Sequence, residues 1–408
     1  MRNKGRSLLK NNAFQSIVAS LICIVLGLLL GFVVLLLIKP SGAVGGITAL
    51  LRSYFKLQSS RQVLELFTQT LVKTVPLIMC SLSILFCYKV GLFNIGAAGQ
   101  YCIGIGISLY AAISWRLPWW VCMLMALAAG AIIGCIVGLL KAYRNVNEVI
   151  SGIMLNWMSL YIVNIILKMV KKPNISETRD VPLAGRIPSL GLDKLLGSKY
   201  ASIAIPMVII IAVAIYILLE KTKFGYELKA TGFNKNAAKY AGMAEKRNII
   251  VTLAIGGALA GLGAAMFYLT NYPHWETEAS TVPAMGFNGI AAAFLGGLNP
   301  IGSIFSSFFI QHITEGGAYI DNMIYASQIS DLIFAIIIYL CSFVLFIKSV
   351  MNRGIARNEK KRAALVGIDS VPGTGAAFAA DPPQDQPEAS ADAQEALPDS
   401  EDRKGGDE

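Results

Sequence analysis

The sequence predicts an all-α integral membrane protein of about ten transmembrane helices, some of them short or broken. Three observations predict it. Hydrophobic residues make up 55% of the 408 and charged residues only 15%, where an ordinary soluble domain carries about 25% charge. The mean hydropathy is +0.59. Apolar runs of membrane-spanning length recur along the chain, separated by basic stretches. That balance excludes a soluble enzyme and a disordered chain.

The charge is unevenly placed. Residues 363–408 hold 11 Asp+Glu and 2 Lys+Arg, and residues 1–362 hold 14 and 33. The basic residues lie between apolar runs and not on one face, so they report orientation in a membrane before they report a nucleic acid. The seven cysteines all sit inside apolar runs, with no C-x-x-C spacing. Neither a disulfide framework nor a metal site is expected.

The first run, Ile17 to Ile38, is 22 residues without a charge. It is too long for the apolar core of a signal peptide, so residues 1–16 are read as a cytoplasmic N-terminus before an uncleaved span. Further runs lie at 66–88, 94–113, 118–140, 149–170, 202–219, 248–271 and 330–348. The stretch 284–318 reads as a short apolar segment, Gly286 to Gly297, a break at Asn299-Pro300, and a second segment from Ile301.

Counting both pieces gives ten crossings, an even number that puts both termini on one side. The stretches then assigned to the cytoplasm (1–16, 89–93, 141–148, 220–247 and 348–362) carry 20 Lys+Arg in 72 residues. The outer stretches carry 11 in 93, so the parity agrees with the positive-inside rule. Trp115, Trp119 and Trp120 fit an aromatic belt at an outer interface. The membrane domain is thus 17–350, and 363–408 is an acidic tail too poor in apolar residues to order.

No catalytic motif is present: no G-x-x-x-x-G-K-[ST], H-E-x-x-H or G-x-S-x-G occurs. Three stretches are unusual for lipid-facing helix. The first is Gly91-Leu-Phe-Asn-Ile-Gly-Ala-Ala-Gly-Gln100, in which Phe93, Asn94 and Gln100 stand among glycines. The second, 145–157, carries Glu148, Asn156 and Trp157 into a span. The third, Gly286 to Gly297, holds Phe287 and Asn288 and shares Phe-Asn and small residues with the first. Amides are costly in hydrocarbon unless they face protein or water, so two readings stand: close helix packing held by amides, or a polar pathway. Short Gly-interrupted segments in two halves favour the pathway. Lys73 is the one charge well inside a run, and either snorkels outward or lines an outer vestibule.

The basic stretch 220–247 holds Phe224-Gly-Tyr-Glu-Leu-Lys-Ala-Thr-Gly232 and continues to Tyr240. Two short helical pieces around a glycine, with Tyr226, Leu228 and Tyr240 among lysines, read as a docking surface or as a plain basic loop.

The 91–100 stretch closely resembles the F-N-I-G-x-E-G-Q signature of permease subunits of the basic-membrane-protein-dependent (purine nucleoside) ABC importers. Thr70 to Pro76, Val146-Asn-Glu-Val-Ile150, the 224–242 loop and Gly286-Phe-Asn-Gly-Ile-Ala are similar too, in the same order. The resemblance covers residues 10–350. It implies a type II importer-like fold, related to simple-sugar and branched-chain amino acid permeases, in the plasma membrane. It also implies a second permease subunit or copy, a cytoplasmic ATPase and an outer substrate-binding lipoprotein. ATP would be used by the partner subunit, with no cofactor on this chain.

Two positions depart from the family. Ala98 stands where Glu is usual and Asn288 where Asp is common, so no carboxylate role carries over. The expected function is a nucleoside pathway subunit. A pentose or hexose importer is the first alternative and an autonomous secondary transporter the second, which the lack of a deeply buried carboxylate disfavours. The candidate pathway groups are Phe93, Asn94, Gln100, Asn156, Trp157, Phe287 and Asn288. The candidate ATPase contacts are Tyr226, Leu228, Gly232 and Tyr240.

Overall fold

The computed structural model describes residues 12–51, 59–317, 325, 328–341 and 343–365. The chain forms two units, Met1–Asn352 and Arg353–Glu408. Of the second, the described residues 353–365 are helical, including 363–365, which the sequence assigned to the tail. The rest of that tail and residues 1–11 lie outside the described residues.

The first described helix, α1, is Asn12–Ile38, so residues 12–16, expected to precede the first span, are helical. A short helix α2 (Ala43–Leu51) follows, then α3 (Ser60–Lys89), α4 (Ala97–Ile113), α5 (Trp119–Arg144) and α6 (Glu148–Lys168). After an irregular segment with a 3-10 turn at Leu183–Gly185 and one α-helical turn, α7 (Leu192–Leu195), come α8 (Ala204–Lys221), α9 (Lys223–Phe233), α10 (Lys235–Tyr240) and α11 (Glu245–Tyr268). The chain continues through α12 (Met285–Leu295), α13 (Pro300–Gly317), α14 (Gln328–Cys341) and α15 (Val344–Leu365). Among the described residues, six helices (α1, α3, α5, α6, α8 and α11) are long and apolar enough to cross a membrane, and α4 and α12 are shorter apolar helices. The run expected at 330–348 is divided between α14 and α15.

Local sequence explains the breaks. The α5–α6 turn uses Asn145 in the left-handed region (φ 52°), with Lys141 and Arg144 in the last turn of α5 favouring its negative end. Asn147 then caps α6, its side chain accepting from the Val149 N–H at 2.8 Å. Between α12 and α13, Gly297 and Leu298 both take positive φ. Asn299 accepts from the Ile301 N–H at 2.9 Å, and Pro300 opens the new helix. The Asn-Pro break read from the sequence is therefore a helix restart.

Helix α3 lies at the centre: 89% of its most apolar stretch is buried, against 22% for α1. It packs on α8, α11, α12 and α13. Helices α5 and α11 make the most intimate pair, because Gly130 and Gly257 face each other with no room for a Cβ on either. One hydrophobic cluster joins α3, α4, α5, α6, α8 and α11. A second joins α1, α2, α12, α13 and α14.

Candidate functional site: an amide clasp at the start of α4

The turn Gly91–Gly96 carries the chain from α3 into α4, with Gly91 at φ +73° allowing the reversal. Asn94 on this turn is fully enclosed. Its Nδ2 donates to Ser83 Oγ on α3 at 2.9 Å and to Gln100 Oε1 on α4 at 2.8 Å. Gln100 Nε2 donates back to Asn94 Oδ1 at 3.2 Å. The two amides thus satisfy one another, as buried polar groups must.

Asn156 reaches the same place from α6. Its Oδ1 accepts from the Gly99 N–H at 2.7 Å, and its Nδ2 donates to the Ile95 carbonyl at 3.1 Å. Gly99 belongs to the first turn of α4, whose N–H groups have no partner within the helix. Asn156 is therefore a cap supplied by a different helix. A Cβ at Gly99 would collide with the Asn156 backbone, which explains the glycine.

Helix α12 closes the arrangement. Gly286 lies against the backbone of Ala98, and a side chain at 286 would overlap it. The two Phe-Asn-containing stretches singled out in the sequence are thus brought together at Ala98 and Gly286. Ala98 itself is fully buried.

The seven candidate pathway residues separate into two groups. Asn94, Gln100 and Asn156 form the buried clasp, so in this conformation their polar atoms face protein. Trp157, the next residue on α6, is exposed and stacked on Tyr161 at 6.5 Å. Phe287 is exposed on α12, whereas Phe93 and Asn288 are half-buried. The structure does not gather all seven around one cavity.

The candidate coupling segment also divides. Thr222 and Asn234 cap α9 and α10, accepting from the Gly225 and Ala237 N–H groups, each at 3.0 Å. The break between the two pieces falls at Asn234, not at Gly232, because Asn234 takes extended backbone and caps the second piece. Leu228 is 0% exposed and belongs to the main hydrophobic cluster, so it anchors the segment to its own chain. Tyr226 and Tyr240 are exposed, Tyr240 by 93%. Phe233, not singled out in the sequence, is exposed beside them. Its signal was an aromatic at the end of an otherwise polar helix turn.

Lys73 neither snorkels alone nor stands free. Its Nζ pairs with Glu315 Oε1 on α13 at 2.6 Å and lies 5.6 Å from the Tyr272 ring centre. Gln311 also donates to that carboxylate at 2.9 Å. Glu148, at the start of α6, pairs with Lys141 at 2.8 Å.

A multi-pass bundle of apolar helices, with broken helices and an amide clasp at its centre and a short amphipathic helix pair at one end, defines a membrane permease. The chain belongs to the family described as the permease component of branched-chain amino acid transport systems, matched over residues 66–342. It is 30% identical to the guanosine ABC transporter permease protein NupP of Bacillus subtilis, over 82% of this chain and 95% of the relative. It is 31% identical to the nucleoside ABC transporter permease protein NupB of Lactococcus lactis subsp. cremoris, over 84% and 94%. It is 28% identical to the glucose ABC transporter permease protein TsgB13 of Haloferax volcanii, over 62% and 70%. No solved structure matches the chain.

Proposed function

We propose that the chain is the membrane-spanning permease subunit of an ATP-driven nucleoside importer in the plasma membrane, with both termini in the cytoplasm. The observation that carries the reading is similarity over more than four-fifths of the chain to two permeases named for guanosine and for nucleosides. The excess of Lys and Arg in the stretches 89–93, 141–148 and 220–247 supports the orientation.

In this reading a cytoplasmic ATPase hydrolyses ATP and docks on the exposed aromatics of α9 and α10, and this chain binds no cofactor. A second permease subunit, or a second copy, completes the pathway, and an outer lipoprotein delivers the substrate. Trp157 and Phe287, exposed on α6 and α12, are the groups able to stack on a flat base. The clasp of Asn94, Gln100 and Asn156 holds α3, α4 and α6 in register behind them. Purine preference is the finer part of this reading and is supported by the relative named for guanosine.

A simple-sugar importer is the second reading, favoured by the similarity to a glucose permease over a smaller share of the chain. Uptake of radiolabelled guanosine, adenosine and uridine by the assembled complex, each with excess ribose as competitor, distinguishes the two. Guanosine and adenosine uptake that ribose leaves unchanged supports the nucleoside reading. Ribose uptake without nucleoside uptake replaces it by the sugar reading.

A further inference from the structure

A second polar feature lies far from the clasp. The segment 183–202 folds over the start of α8 and the end of α11 and borders a half-open pocket of about 210 Å³, lined by Arg186, Lys199, Tyr200, Ser202 and Thr270 among others. At about 30 Å³ per water, that is room for several waters or one compact polar group. The lining holds two cations and no carboxylate.

Two donors at this cavity have no partner. Arg186 Nε is buried without a hydrogen bond, while its Nη2 is held by the Val181 carbonyl at 3.1 Å. Ser202, only 3% exposed, has an unpartnered hydroxyl. Buried polar groups are nearly always satisfied, so two orphan donors in one cationic pocket call for an acceptor. Lys199 Nζ stands 5.0 Å from the Tyr200 ring centre at the same pocket, adding an exposed positive charge.

The surroundings identify the acceptor's setting. Leu183, Leu190 and Leu195 of the same segment are 83%, 79% and 71% exposed. The cavity sits at one end of two helices able to cross a membrane, α8 and α11. Exposed apolar side chains beside a basic pocket at the ends of such helices match the boundary between acyl chains and headgroups.

We infer that this pocket is an oxyanion site that takes the phosphate of an anionic phospholipid headgroup. Arg186 and Lys199 supply the charge, Ser202 a neutral donor, and the leucines contact the acyl chains. Arginine suits the role because its planar donors fit phosphate oxygens. The site does not depend on which substrate the permease carries.

The test is native mass spectrometry of the full-length chain, with whatever subunits co-purify, after addition of phosphatidylglycerol or phosphatidylcholine. Both lipids carry the phosphate, but the choline cation of phosphatidylcholine is repelled by Arg186 and Lys199, so the wild type is expected to retain phosphatidylglycerol about tenfold better. Arg186→Gln and Lys199→Gln should each remove the preference. Lys199 is exposed, so its variant tests the site even if Arg186→Gln fails to fold. Excess inorganic phosphate separates two sources of the same chemistry. Displacement of the lipid marks a site that also accepts the free ion, and no displacement marks one that needs the headgroup. Equal retention of both lipids with no effect of phosphate would overturn the proposal, as would a preference unchanged in both variants. Crosslinking of position 199 to a co-purifying outer protein, without any lipid preference, would replace the lipid by a protein carboxylate.

Discussion

Gly232, near the end of α9, rests backbone to backbone on Gly91, and neither glycine has room for a Cβ. Gly91 begins the turn that carries Asn94 into the clasp. Asn248 on α11 ties the same helix end, donating to Thr231 Oγ1 at 2.8 Å. In the proposed complex, a displacement of α9 by the ATPase would reach the turn before α4 through this contact. The contact joins the segment 222–243 to the turn before α4, and the hydrogen bond joins it to α11.

Gly232→Ala should separate the two activities of the complex. The added methyl forces α9 from the turn at a cost of about 1–3 kcal/mol. ATP hydrolysis in reconstituted vesicles is expected to continue while uptake falls severalfold. Uptake that stays coupled to hydrolysis would remove the contact from the mechanism.

The clasp has a thermodynamic signature. Asn94→Leu or Gln100→Leu alone strands the other amide and should cost about 1–3 kcal/mol each. The double variant removes both partners, so its loss in thermal stability should be smaller than the sum. Asn156→Leu should behave as a lost helix cap, lowering stability by about 1 kcal/mol. Unfolding of each variant in detergent, followed by tryptophan fluorescence, provides the comparison. Additive losses for Asn94 and Gln100 would show that the two amides act separately.

The half-buried Lys73 of α3 should depend on its partner. Lys73→Met leaves Glu315 with Gln311 alone, and the side chains are partly accessible at 26% and 19%. A cost of about 1–3 kcal/mol is expected, below that of a fully buried pair. The exchange Lys73→Glu with Glu315→Lys should recover part of it, measured by the same unfolding assay. No recovery would mean that the surroundings, Tyr272 among them, fix the sign of each charge.

Docking and folding should part company within α9 and α10. Replacing Tyr226, Phe233 or Tyr240 by Ser should weaken ATPase capture by up to ~30-fold each, the effect of an interface anchor of ~2 kcal/mol. Leu228→Ala should instead lower the stability of the chain and leave the affinity of the folded fraction unchanged. A titrated pull-down with purified ATPase reads the first effect and thermal unfolding the second.

Much of this architecture was legible in local sequence. The Asn-Pro restart before α13 and the Asn145–Asn147 turn follow from residues within a few positions of each other. What could not be read is pairing at long range. Asn156 caps Gly99 across 57 positions and Lys73 meets Glu315 across 242, and no periodicity encodes either. The sequence identified Asn94, Gln100 and Asn156 as residues needing partners, without showing that two of them are each other's. Leu228 and Tyr226 looked alike as apolar residues in a basic loop. Only the packing of α9 tells the buried one from the exposed one.

Orientation is open to a direct check. Cysteines introduced at Leu183 and Lys235 in a cysteine-free background should react with a membrane-impermeant maleimide from outside and from inside, respectively. The reverse pattern would invert the proposed topology, and with it the assignment of α9 and α10 to the ATPase.

The nucleoside reading faces its most direct test in transport by the assembled complex. With ATP inside proteoliposomes and the lipoprotein outside, uptake of radiolabelled guanosine is expected, abolished without ATP and unaffected by excess ribose. Ribose-inhibited sugar uptake with no guanosine uptake, or guanosine uptake by this chain alone without ATP, would contradict it.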